Sequence, residues 1–132
     1  MIFVDTGAWL AQFSKRDQYH AKALRSWQKL HTDKVHLVTS SPVLVETITL
    51  IAREINHSTA VRIGKQIYGW RSLTILRPVE EDEVLALAIL DKFSDQKIGF
   101  VDCLSFALMR RYGIKTAFAY DRHFKTAGFE LV

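Results

Sequence analysis

One cysteine, two prolines and six glycines are all that 132 residues contain of these types. The lone thiol, Cys103, excludes an internal disulfide and has no cysteine partner for a zinc site. Within VDCLSFALM it reads as a small buried hydrophobe rather than a catalytic thiol. There are no Gly/Ser linkers, repeats or low-complexity tracts, so one compact domain spanning residues 1–132 is expected. No apolar stretch approaches the roughly 20 residues that a membrane-spanning helix requires. A basic stretch before the first apolar run is also missing, and Asp5 interrupts that run too early for a signal peptide. The expectation is a cytoplasmic protein with no membrane partner. Histidine is sparse too: His20, His31, His36, His57 and His123 show no ligand-like spacing, which disfavours zinc. His123 is expected at the surface.

What is present fits an ordinary globular chain, with 48% apolar and 24% charged residues. Eighteen basic against fourteen acidic residues give a net charge of +4, which favours a polyanionic partner. The basic residues lie in small groups, whereas EEDE at Glu80 to Glu83 is a lone acidic block, placed to open a helix against the positive end of its dipole.

Apolar periodicity predicts strands at Ile2 to Val4, near Val35 to Thr39, at Leu73 to Leu76, at Thr116 to Tyr120 and in the terminal FELV. Helices are predicted from about Gly7, from about Gln18 to Leu30, and over SSPVLVETITLIARE, with Ser41 as cap and Pro42 at the first helical position. Asn56 and His57 end that helix, and Ser58 caps the next, which runs to about Trp70. Two more run from about Glu81 to Phe93 and from about Val101 to Tyr112, with Gly113 as the left-handed residue after the last. Strands that are apolar on both faces and alternate with helices indicate an α/β sandwich around a parallel sheet. In such sheets function collects at the carboxyl ends of the strands.

Four acids sit where that rule points: Asp5 after the first strand, Glu46 in VLVETIT, Asp102 opening FVDCLSFALM, and Asp121 in AYDRHF. Each has a plain structural reading. Asp5 and Asp121 suit Asx turns or caps, Asp102 suits an N-cap, and Glu46 suits a half-exposed helical face shared with Thr49 and Arg53. Together they are harder to explain, because the helix after Asp102 is apolar nearly all round, so Asp102 is expected to be deeply buried. Two carboxylates 4 Å apart repel by about 4 kcal/mol at an effective dielectric near 20. With no Lys or Arg in the apolar surroundings of Asp5 or Asp102, the natural counter-charge is a hard divalent cation, Mg²⁺ or Mn²⁺. Asp95, in FSDQKIGF, reads as a loop residue outside this group.

The stretches VDTGAWLA, PVLVETITL, GFVDCLSFALMRRYGI and TAFAYDRHFKTAGFELV, in this order, resemble the PIN-domain nucleases, particularly the VapC-type ribonuclease toxins. The resemblance implies a three-layer α/β/α sandwich with a central five-stranded parallel sheet. It also implies Mg²⁺- or Mn²⁺-dependent cleavage of RNA, a homodimer and, for a toxin, a cognate antitoxin protein. The family's four acidic positions map onto Asp5, Glu46, Asp102 and Asp121. Relatives often carry a hydroxyl residue just before the third acid, where this chain has Val101, and many have Ser where it has Gly99. Thr6 or Ser105 is the candidate replacement.

On this reading Asp5 and Asp102 hold the principal ion, while Glu46 and Asp121 complete its surroundings, bind a second ion or orient the attacking water. Arg122, Lys125, Lys15 and Arg16 are candidate contacts to the RNA backbone. Trp9, Trp27 and Trp70 are candidates for a dimer surface or for the core. The alternatives are a PIN-domain RNA-processing nuclease without an antitoxin, a non-enzymatic acidic-groove binding module, and a signalling receiver domain. The receiver domain requires paired acids after the first strand, where Asp5 is followed by Thr6.

Overall fold

The computed structural model describes all residues from Met1 to Val132. Its elements in chain order are β1 (Ile2–Val4), α1 (Thr6–Phe13), α2 (His20–Thr32), β2 (Leu37–Ser40), α3 (Ser41–Glu54) and α4 (His57–Tyr68). They continue with β3 (Thr74–Leu76), α5 (Glu80–Lys92), α6 (Phe100–Arg111), β4 (Thr116–Phe118), α7 (His123–Thr126) and β5 (Glu130–Leu131). All five strands form one sheet in the order β3-β2-β1-β4-β5, and every pairing is parallel. Helices cover it on both sides, as the apolar character of the strands requires.

β1 lies at the centre because Ile2 pairs with both Leu37 of β2 and Thr116 of β4. The chain builds outward from β1 to β3 on one side and then returns to the other side of β1 as β4. Strand order therefore reverses between β1 and β4, and their carboxyl ends open onto the crevice where parallel sheets place ligands. The Asp5 amide donates to the Phe118 carbonyl at 3.0 Å and ties the two strand ends together.

Several element boundaries move from their predicted positions for local reasons. Ser40, not Ser41, caps α3: its backbone is still extended (φ −134°, ψ 158°), and its hydroxyl accepts the Val43 amide at 3.3 Å. Strand β2 thus passes into α3 with no loop, and Pro42 becomes the second helical residue. Asn56 starts α4 rather than ending α3, because its side chain accepts the Thr59 amide at 2.7 Å, leaving Ser58 inside the helix. The fourth strand stops at Phe118, and a short helix, α7, occupies a stretch where the periodicity signals none. Gly113 takes the expected left-handed conformation (φ 66°), and so does Lys34 (φ 53°) after α2.

Trp9 and Trp27 belong to the core, and Trp70 is half-buried at its edge. Trp9 and Trp27 are buried with ring centroids 4.9 Å apart, and Trp70 meets both at 6.3 Å. Their polar edges are satisfied inside: Trp9 Nε1 donates to Thr39 Oγ1, which donates to the Val4 carbonyl, and Trp27 Nε1 donates to the Ala8 carbonyl. Cys103 is buried as expected, and burial with the Asp102 charge pushes its thiol pKa up, against a nucleophilic role.

Candidate active site

Asp5 occupies the turn from β1 into α1 with an extended backbone (φ −89°, ψ 165°), yet its side chain caps nothing. It is 5% exposed, and Oδ1 has no hydrogen-bond partner. A buried carboxylate in this condition is costly. Burial, reinforced by Asp102 and more weakly by Glu46 and Asp121, pushes its pKa up to about 8, although the Thr6 amide pulls the other way. Asp5 thus holds the N-cap position of α1, its carbonyl accepting the Ala8 amide at 3.1 Å, while its side chain makes no cap.

Asp102 stands at the third residue of α6, with Gly99 as the N-cap, and its Oδ2 accepts the Gly99 amide at 3.3 Å. It is half-buried rather than deeply buried. Phe100 at the helix start is 37% exposed, and continuous burial begins only at Cys103. Burial first and the Asp121 charge next raise the Asp102 pKa to about 6; Glu46 adds to this, while the Gly99 amide and His123 oppose it.

Asp121 lies just past β4. Its Oδ1 accepts the His123 amide at 2.8 Å, so its expected turn role is real, and it faces Asp102 as well. His123 is half-buried, not a surface residue: Nδ1 lies 2.7 Å from Asp121 Oδ1, an ion-pair distance out of line for a hydrogen bond. The DxH spacing of Asp121 and His123 was the available signal, because an Asx turn brings the backbone amide of the second following residue to the carboxylate. Glu46 is half-buried in the second turn of α3. It lines a groove of about 610 Å³ with Thr49, Leu50, Arg53 and Val101. Asp95 is exposed beyond α5, outside the cluster.

The four predicted acids thus share one electrostatic field. No Lys or Arg is among the main influences on Asp5 or Asp102; His123 is the side chain that acts against the raised Asp102 pKa. The cluster is open, since no three acidic, histidine or cysteine side chains meet at a common ligating point. The two candidate hydroxyls separate clearly. Ser105 Oγ donates to the Val101 carbonyl of its own helix at 3.1 Å, whereas Thr6 Oγ1, beside Asp5, is buried without a partner. Arg122, Lys125, Lys15 and Arg16 are all exposed.

A parallel α/β domain whose strand-order reversal brings four carboxylates into one field, one of them with an unpartnered oxygen, is an acidic-centre α/β domain. The chain belongs to the PIN-domain family, whose model matches residues 2–130. The 23S rRNA-specific endonuclease VapC20 of Mycobacterium tuberculosis is 38% identical over 132 residues, covering 98% of this chain and 95% of that protein. The crystal structure of VapC20, described as a sarcin-ricin loop cleaving toxin, matches with a TM-score of 0.86 at 34% identity, covering 98% of this chain and 96% of that one. VapBC2 from Rickettsia felis, crystallised bound to a DNA fragment from their promoter, matches with a TM-score of 0.71 at 17% identity, covering 100% of this chain and 98% of that one. This last likeness is one of fold alone.

Proposed function

We propose that this protein is a divalent-metal-dependent endoribonuclease, the toxin of a toxin–antitoxin pair, acting in the cytoplasm. The observation that carries the reading is Asp5 Oδ1: a buried carboxylate oxygen without a donor, in the field of Asp102, Glu46 and Asp121. An all-oxygen set of this kind fits Mg²⁺ or Mn²⁺ better than a softer ion. When bound, such an ion supplies an activated water and neutralises charge growing on the phosphate oxygens.

The chain's own residues do the rest. Asp5, at the β1 end, and Asp102, at the start of α6, would hold such an ion. Asp121, oriented by the His123 amide, and Glu46, in the groove beside Val101, would complete its surroundings and orient a water. Thr6 Oγ1 is free to hydrogen-bond that water.

Identity of 38% across nearly the whole length to an enzyme named for 23S rRNA supports ribosomal RNA as the substrate class. The partners we assign are a cognate antitoxin protein and a second copy of the chain. Val84 and Leu87 on α5 and Val45 on α3 leave apolar side chains more than half exposed, and these replace the tryptophans as candidates for the dimer contact. No helix is long and apolar enough to cross a membrane.

Incubating the purified protein with 23S rRNA in Mn²⁺ or Mg²⁺ tests the reading. Discrete cleavage is expected, lost in Asp5→Asn and Asp102→Asn while both variants keep the parent's circular dichroism. Undiminished cleavage in EDTA would refute it.

A further inference from the structure

The rim of the acidic cluster carries an aromatic arrangement that the four carboxylates do not explain. Tyr120, immediately before Asp121, lies against the turn that follows Asp5: a Cβ on Gly7 would stand 4.0 Å from the Cβ and Cδ2 of Tyr120. On Tyr120 lies Tyr19, from the start of α2, with ring centroids 4.4 Å apart and planes 3° from parallel. Tyr120 is itself braced edge-on by Phe118 at 6.0 Å, and Phe118 packs on Trp27 at 5.2 Å. The outer ring is thus the last member of an aromatic chain rooted in the core.

Two observations indicate that Tyr19 is not there for local structure. It occupies the N-cap of α2, where Ser, Thr, Asp or Asn is worth about 1 kcal/mol, and it makes no side-chain cap. The turn is held without its ring: Asp17 Oδ1 accepts the Tyr19 amide at 2.8 Å, and His20 Nδ1 lies 2.7 Å from the Ala11 carbonyl. Tyr19 remains 36% exposed, so part of the ring meets solvent. Across residues 15–25 four basic side chains stand against one acid, Asp17. Lys22 Nζ lies 5.9 Å from the Tyr120 ring centroid, and Lys15 and Arg16, in the same turn region, are exposed and in no salt bridge.

We propose that Tyr19, backed by Tyr120, is a stacking platform for an unpaired base of the RNA next to the scissile phosphate, with Lys22 and Arg16 contacting the flanking phosphates. The inference rests on the nuclease reading above and names how that site holds its substrate. A rigid exposed ring flanked by cations is the chemistry that binds single-stranded nucleic acid: bases stack on aromatic faces while Lys and Arg follow the backbone. A pre-stacked ring also loses little freedom on binding, which favours affinity.

The test compares variants made in the Asp5→Asn background, so that the probe stays intact. The probe is a single-stranded RNA 12-mer with one 2-aminopurine, and base stacking is read as quenched fluorescence. Tyr19→Ala is expected to weaken binding roughly 5- to 150-fold, from stacking worth about 1–3 kcal/mol per base, and to abolish the quench. Tyr19→Phe and Tyr19→Trp should retain both. The salt dependence of binding should be unchanged in Tyr19→Ala and shallower in Lys22→Ala. Unaltered melting of Tyr19→Ala separates stacking from unfolding. Equal binding and quench in Tyr19→Ala and its parent would overturn the platform and leave the nuclease reading standing. A parent that binds no RNA would overturn both. Loss of antitoxin binding without loss of RNA binding would assign the ring to the protein partner and overturn the proposal.

Discussion

Arg111, at the end of α6, grips Asp82, near the start of α5, through two parallel hydrogen bonds: Nε to Oδ1 at 2.9 Å and Nη2 to Oδ2 at 2.8 Å. Asp82 is 3% exposed, and Oδ2 also accepts the Val79 amide at 2.8 Å, so one carboxylate both caps α5 and joins it to α6. The Arg111 guanidinium lies over the Tyr112 ring, 4.5 Å from its centroid, on the solvent side.

Asp82→Ala removes the cap and leaves Arg111 free to turn into water. The expected loss is about 2 kcal/mol, below the 3–5 kcal/mol of a fully buried broken pair because one partner is solvated. Urea unfolding measures it. RNA cleavage per folded molecule should be unchanged, because the pair lies outside the acidic cluster.

The acidic cluster itself should work against the fold when cations are chelated. Asp5 and Asp102 have folded-state pKa values raised from 3.8 to about 8 and about 6. Between those limits the folded protein binds more protons than the unfolded chain, so stability falls as pH rises. The decline for Asp102 ends near pH 6 and that for Asp5 near pH 8, at up to about 1.4 kcal/mol per pH unit for each group. Thermal melting in EDTA from pH 4 to 9 should trace this decline. Asp5→Asn should melt higher than the parent at pH 8, and Mn²⁺ should raise the parent's melting temperature but not that variant's.

The two hydroxyls near the cluster should behave differently. Thr6→Val removes the buried, unpartnered oxygen beside Asp5 and should lower the cleavage rate about 10- to 100-fold, the scale for residues that orient a metal's surroundings. Ser105→Ala removes a hydroxyl already bonded to its own helix and should leave the rate within about twofold. Single-turnover cleavage distinguishes them.

For Arg122 and Lys125, both exposed beside Asp121, alanine substitution should weaken RNA binding without changing the cut site. Each should reduce the salt slope of binding by about one. Filter binding over a series of KCl concentrations reads both effects.

The acidic positions were legible because carboxylates at strand ends break an apolar pattern, and Asp5, Glu46, Asp102 and Asp121 do so at matching topological points. Their individual states were not. Whether Asp5 caps a helix depends on a side-chain torsion that spacing does not encode. Asp102 is less buried than its apolar helix suggests because the first turn of α6 projects from the core. Asp82 was read as part of a dipole-favouring block, although it shares a 4- and 7-residue spacing with buried Ala86 and Ile89, which marks it as an inward-facing acid. Ser40 and Asn56 displaced the predicted caps because a neighbouring polar residue of equal propensity stood one or two positions away. The Tyr19–Tyr120 stack had no sequence signal, since residues a hundred positions apart meet only through the fold.

That separation bears on the order of events in synthesis. Strand β1 is made well before β4, residues 116–118, which is its hydrogen-bonding partner on one side. A nascent chain therefore carries Asp5 on a half-paired strand, with Asp121 still unmade. Contacts this distant in sequence form late. The acidic cluster is therefore complete only once β4 and Asp121 have been made, which ties its assembly to the pairing of two strands far apart in sequence.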